Sequence, residues 1–349
     1  MKVAHTVWRR GKGGDRIKSL PISINLAILF VCIFLPFMLV LDMRTKAQEA
    51  VLQLEDQYNA ALRTAVQDAS RMLNINELQE YEAGYQSMKF FKVNKELALD
   101  TFFRTLYLNF GVENDPIGQG TLASYIPVIG VTDYDGFFLY TMSEYRDQTG
   151  QKLAKPMWRP KKPYAYSDSS GNSINFTLDS YVHAYDAASR KWVEGFREDL
   201  QGKTSIPLLN DPVNFDSVRR STIIRSIQRD LAYFINAYNE YAIRNGISYT
   251  FKLPDIPHEE WANTINDVGI IAFIQGLPIG EQMYNNYALG GGRLVKKTNF
   301  YGAINPQTGI KYYYKATCGF PYQVEEIFDH AKDAAAAGYI PKECVNGGP

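Results

Sequence analysis

The chain has 349 residues, 46% of them hydrophobic, with 37 Lys+Arg against 37 Asp+Glu. That length and apolar content suit a folded core in one or two domains and exclude a disordered or low-complexity chain. A formal charge of zero, with no basic cluster outside the N-terminal tail, gives no electrostatic footprint for nucleic acid, so no nucleic-acid partner is expected.

Residues 1–19 form a basic tail carrying Lys2, Arg9, Arg10, Lys12, Arg16 and Lys18. Residues 20–41 (LPISINLAILFVCIFLPFMLVL) follow with no charged side chain. A helix of that length crosses a hydrocarbon layer of roughly 30 Å. Cations flanking a span favour the cytoplasmic side, so the expected topology is single-pass, with the body extracellular or periplasmic. The exit, Leu41-Asp42-Met43-Arg44-Thr45-Lys46, lacks the small residues of a signal-peptidase site, so the span reads as an uncleaved anchor. Pro36 is expected to kink the span, and Cys32 to serve as a small apolar residue within it. The best second candidate, Val268–Ile279, is too short to cross. The expected partners are the membrane and other membrane-anchored or envelope proteins.

Residues 42–75 carry a helical stripe: Val51, Leu54, Tyr58, Ala61 and Ala65, with neither Gly nor Pro between Ala47 and Leu73. These five are the candidate helix-packing residues. The stripe fits either an amphipathic helix laid on its own body or a stalk packing on copies of itself. Residues 76–349 form the exported body, with a possible sub-boundary near 200–215. Its elements are expected as a helix at Lys95–Phe110, strands at Tyr125–Thr132 and Phe137–Ser143 around an Asp133–Gly136 turn, and a polar excursion from Gly150 to Ser173. There follow a strand at Ile174–Tyr185, a turn and short strand after Asp186, and a long helix at Asp216–Asn245 capped by Asp216. The rest reads as a strand at Ile247–Lys252, a helix from Pro257, a strand at Gly269–Gln275, a hairpin of Leu294–Ala303 with Lys311–Thr317, and a helix at Gln323–Ala337. Hairpin turns between neighbouring strands, with helices interspersed, predict an α+β fold with an antiparallel sheet.

Catalytic and metal patterns are incomplete. Asp133-x-Asp135-Gly136 begins like a calcium loop, but Gly136 falls too early, and a hairpin turn accounts for the four residues. His258-Glu259-Glu260-Trp261-Ala262 lacks the second histidine of a zinc helix. Gly290-Gly291-Gly292 lacks the Lys-Ser/Thr spacing of a phosphate loop, and no G-x-S-x-G elbow occurs. No catalytic residue, metal site or cofactor is expected, and the protein reads as a non-enzyme. Cys318 and Cys344 are a candidate disulfide pair if both are exported, with two free thiols as the alternative. Tyr301, Tyr312, Tyr313 and Tyr314 lie on expected hairpin strands. They are candidates for a binding surface, and cross-strand pairing is an equal explanation.

The basic stretch Arg9–Lys18, the apolar run Leu20–Leu41, the amphipathic run Ala47–Leu73 and the pair Cys318…Cys344 together resemble pilins and pseudopilins, including TadE-like minor pilins. The prepilin cleavage motif is not present: the fifth residue after Gly14 is Ser19, and no Glu occurs before the span. The resemblance implies a membrane-anchored, exported, non-enzymatic protein of a cell-surface, pilus-like or secretion assembly. Two other readings remain open: an extracellular Cache- or PAS-like ligand-sensing domain, and a cell-envelope enzyme built from scattered carboxylates and tyrosines.

Overall fold

The computed structural model describes residues 22–74, 85, 87, 89–90, 92–292, 300–315, 321–328 and 331–342. Two compact units divide the chain, Met1–Gln57 and Tyr58–Pro349.

The first unit contains most of helix α1, Ile22–Met72, with Pro36 inside it. Residues 28–50 are exposed throughout. Their apolar side chains are uncovered, from Ile28 at 51% to Leu41 at 47%, and Phe30 stacks on Phe34 one turn later at 5.0 Å. The segment has a mean hydropathy of 2.1 over its most apolar window, so it is long and apolar enough to cross a membrane. Cys32 is exposed on this helix.

In the second unit, the end of α1 turns the same kind of stripe inward. Ala61, Leu62, Ala65, Val66 and Ala69 are all buried. The three alanines among them are small, which lets the helix come close to its neighbours. Helix α2 follows at Lys95–Asn109, opened by Asn94, whose Oδ1 accepts from Leu97 N at 2.9 Å. Gly111 follows its C-terminus with φ +66°, a left-handed conformation that suits glycine. A short helix, α3 (Pro116–Ala123), starts at Asp115 with Pro in its first turn, a start signal that the sequence reading passed over.

A run of strands comes next: β1 (Val128–Asp133), β2 (Gly136–Arg146), β3 (Lys152–Trp158), β4 (Lys162–Ser167), β5 (Ser173–Phe176), β6 (Tyr181–Asp186) and β7 (Lys191–Phe196). The short helix α4 (Arg197–Leu200) and a 3-10 turn lead to the long helix α5 (Pro212–Arg244), and α6 spans His258–Thr264. Strands β8 (Gly269–Ile279) and β9 (Gln282–Gly291) form a hairpin. These nine strands make one sheet in the order β7-β6-β5-β4-β2-β1-β8-β9, with β3 also on β2. The length of β2 explains the branch: Gly136 and Phe137 pair with β4, and Tyr140–Arg146 pair with β3. A second sheet follows from β10 (Phe300–Ile304), β11 (Lys311–Lys315), β12 (Val324–Phe328) and β13 (Ile340–Pro341), ordered β12-β10-β11-β13, with α7 (Ala331–Ala336) before the last strand. All pairings are antiparallel except that of β11 with β13. The α+β class with antiparallel sheets is therefore what the chain forms.

The faces of the large sheet follow from register. Gly290, Ile270, Val131 and Phe138 are successive cross-strand partners and so share one face. The end of α1 lies there, because a Cβ on Gly290 would sit 2.7 Å from Val66 Cγ1. Helix α2 lies on the same face: Phe103 meets Tyr140, two residues from Phe138, at 6.4 Å, and Thr105 Oγ1 donates to Asp68 Oδ2 at 3.3 Å. Helix α5 covers the opposite face, where Gly130 leaves 3.7 Å between its Cβ position and Leu231 Cδ2. The α5 stripe Ile223, Ile224, Ile227, Leu231 and Ile235 is buried, and each such side chain contributes about 1.5–3 kcal/mol.

Several expected elements differ. The excursion Gly150–Ser173 contains β3 and β4; Pro156 is tolerated because β3 pairs on one side only. The expected strand Ile174–Tyr185 is two strands, β5 and β6, because Asp179 draws the chain into a turn by accepting from Tyr181 N and Thr177 Oγ1, each at 2.9 Å. Helix α5 starts at Asp211-Pro212, not Asp216; Asp211 Oδ1 accepts from Val213 N and Asn214 N. Asp216 instead pairs with Arg219 at 2.6 Å and Arg220 at 2.9 Å.

Residues 247–252 are not a strand. Side-chain amides satisfy their backbone instead. Asn239 Nδ2 donates to Phe251 O at 2.8 Å, and Phe251 N donates to Asn239 Oδ1 at 2.7 Å. Gln275 makes the same pair of bonds with Lys252, at 2.7 and 3.2 Å. The last expected helix is split into β12 and α7.

Candidate ligand-binding cleft

Helices α2, α3 and the C-terminal half of α5 meet β1, β2 and β3 around a cleft of 440 Å³ in the second unit. That volume lies within the roughly 300–1,000 Å³ of small-molecule sites. Residues 96, 100, 103 and 107 of α2 recur at spacings of three and four, so the helix period itself aims Glu96, Asp100, Phe103 and Tyr107 at the cleft. Tyr140 projects from β2, and Tyr241 projects from α5 one turn after Tyr238. Tyr238 is buried and its hydroxyl donates to Ser124 O at 2.8 Å, which ties α5 to the end of α3.

The rings form a wall. Phe103 lies 5.6 Å from Tyr107 and 6.4 Å from Tyr140, and Tyr140 packs on Trp158 at 5.3 Å. Among the described residues, the hydroxyls of Tyr107, Tyr140 and Tyr241 have no protein hydrogen-bond partner. Partial burial raises the Tyr107 and Tyr140 phenols above their ordinary value, with lesser contributions from Tyr140 on Tyr107 and from Glu96 on Tyr140. They remain neutral donors at physiological pH. Asp100 is exposed and has no ion-pair partner among the described residues. Glu96 has Lys95 Nζ at 3.9 Å, and that ammonium sits over the Phe138 ring at 5.1 Å.

A second polar cluster lies at the β1–β2 turn. Asp133 is buried and its Oδ2 is 2.7 Å from Lys161 Nζ, which also pairs with Asp135. Tyr85 donates to Asp135 at 2.7 Å, and Tyr164 donates to Asp133 O at 3.1 Å. Desolvation pushes the Asp133 carboxyl up to about 6, against the pull of Lys161, while its two carboxylate neighbours hold Lys161 above its ordinary value. The neighbouring Asp179 accepts from Tyr134 at 2.9 Å and from Ser87. Each carboxylate oxygen here has a hydrogen-bond or ion-pair partner within the chain, Asp135 Oδ1 through the Lys161 ammonium alone, so the cluster fastens the turn to β4 and β5. The Asp133–Gly136 stretch is a hairpin turn, with Asp133 opposite Gly136. Among the described residues, no group of three or more His, Cys, Asp or Glu is placed to hold a metal.

The other sequence candidates are distributed differently. Val51 and Leu54 are half-buried in the first unit. In the second, Tyr58 stacks on Phe110 at 4.6 Å and meets Tyr284 edge-on at 5.5 Å. Ala61 and Ala65 are buried in the core, so they are covered by this chain itself and are closed to a partner helix. On the small sheet, Tyr314 is buried and packs edge-on against its partner Tyr301 at 6.1 Å. Tyr313 meets Phe300 at 5.7 Å, and Tyr312 lies under Lys342 Nζ at 5.3 Å. The tyrosines thus divide between cross-strand packing and partial exposure. Cys318 and Cys344 lie outside the described residues.

The sequence reading missed the cleft. Its signal was present in α2, where Glu96, Asp100, Phe103 and Tyr107 share a helical face that is aromatic and acidic. Comparison with protein-family models, curated proteins and solved structures finds no match to this chain.

Proposed function

We propose that the chain is a membrane-anchored, exported, non-enzymatic binding protein of a cell-surface or pilus-like assembly. Its first unit holds it in the bilayer, and its Tyr58–Pro349 body carries recognition. The observation that carries this reading is the uncovered apolar surface of Ile28–Leu41, where every large side chain is about half exposed or more. In water such a continuous patch is unfavourable, whereas hydrocarbon matches it. The six preceding cations favour a cytoplasmic N-terminus. Because Ala61 and Ala65 are covered, the helix surface left for lateral packing is Ile28–Leu52. The cleft, with its unpartnered phenols and open carboxylate, supports recognition by non-covalent binding.

Fractionation tests the anchor. The full chain is expected to stay with carbonate-washed membranes and to leave them only in detergent, while a Met43–Pro349 fragment partitions to the soluble fraction. External protease is expected to degrade the body in intact cells if it is extracellular, or in spheroplasts if it is periplasmic. Release of the full chain by carbonate overturns the anchor, and a body protected both in intact cells and in spheroplasts overturns the sidedness.

A further inference from the structure

The chemistry of the cleft narrows what it can hold. Among the described residues, its lining includes Glu96 and Asp100 but no Lys, Arg or His. An anionic ligand would meet two carboxylates and no counter-charge, which disfavours it. The lining includes four aromatic rings, Phe103, Tyr107, Tyr140 and Tyr241, and an aromatic ring attracts a cation that lies over its face within about 6 Å of the ring centre. Just outside the cleft, Lys95 illustrates the chemistry: its ammonium lies over the Phe138 ring at 5.1 Å and 3.9 Å from Glu96. One turn on, Asp100 has no such cation among the described residues.

We propose that this cleft binds an organic ammonium cation, a primary or quaternary amine with an apolar body. Asp100 and Glu96 face the charge, and the rings of Phe103, Tyr107 and Tyr140 enclose the methylene or methyl groups. The phenol hydroxyls of Tyr107, Tyr140 and Tyr241 accept or donate to a polar group at the other end. The proposal rests on reading the body as a recognition module and is independent of the anchor, so fractionation can fail while binding holds, and the reverse.

The test uses the full chain in a polyoxyethylene detergent, which carries neither sugar nor ammonium. Choline is titrated by calorimetry against its uncharged isostere 3,3-dimethylbutan-1-ol, with maltose as a neutral polyol. Choline is expected to bind at least about tenfold more tightly than the isostere, and binding is expected to weaken with added salt. Asp100→Asn and Tyr140→Leu are each expected to weaken choline about tenfold. Asp100 is exposed, so the Asn variant keeps the fold, and an unchanged thermal midpoint verifies that. Equal affinity for choline and the isostere overturns the proposal, as does preference for maltose, absence of choline binding, or choline binding that both variants leave unchanged.

Discussion

Asp133 is the residue whose surroundings most alter its chemistry. Burial raises its carboxyl to about 6, although Lys161 lies 2.7 Å away, so desolvation outweighs the ion pair. The consequence for stability has a definite sign. Between about pH 4 and 6 the folded chain holds a proton on Asp133 that the unfolded chain has released. Asp133 therefore contributes a stability that falls as pH rises through that window. Asp133→Asn keeps an Oδ1 acceptor for Tyr134 N and leaves Asp135 to pair with Lys161. The variant is expected to lose this slope, with a change at pH 7 within about 1 kcal/mol. Denaturant titrations of both proteins at pH 4.5 and 7 measure it, and a slope equal to wild type would contradict the assignment. Asp186 acts in the opposite sense. Its carboxylate accepts from Ser205 Oγ and N and from Ala188 N, which lowers it to about 2. The stability it adds is present above about pH 4 and is lost as pH falls through 2.

At the level of elements, the approach of α1 to β9 depends on a missing side chain. A Cβ on Gly290 would lie 2.7 Å from Val66 Cγ1 and 2.9 Å from Val66 O, whereas one on Gly291 would meet nothing within 4 Å. Gly290→Ala is expected to cost about 1–3 kcal/mol by overpacking, while Gly291→Ala stays within about 0.5 kcal/mol. Denaturant midpoints of the two variants decide it; equal midpoints would mean that the helix and strand separate freely. This contact also shows why the sequence was only partly legible. The α5 stripe is long, strictly periodic and bounded by breakers, so its existence was plain, although its start was displaced because Asp211-Pro212 is a stronger opening signal than Asp216. Strands β3 and β4 were hidden by Pro156 and Pro163, whose cost depends on which edge is paired, and that is a property of the sheet. The cleft was hidden for a similar reason: Tyr140 and Tyr241 are about 100 residues apart in the chain and meet only through packing.

Across the whole molecule, the body folds as one unit that combines a nine-stranded sheet with a smaller four-stranded one, and among the described residues the longest continuous run of exposed apolar side chains is Ile28–Leu41. Within that body, the irregular segment around Phe251 and Lys252 is held from both sides. Asn239 of α5 binds the backbone of Phe251, and Gln275 of β8 binds that of Lys252. A stretch with no strand or helix partner would ordinarily exchange its amide protons with solvent through local opening. Here, the Phe251 and Lys252 amides are tied to the longest helix of the body and to β8, a strand paired on both sides. They are expected to exchange deuterium at the slow rate of α5 and β8, and Asn239→Ala to release Phe251 selectively. Hydrogen-exchange mass spectrometry over residues 247–257 reads this directly. A loop that opens only when the sheet and its covering helix open makes the body a single cooperative block there, despite its irregular backbone.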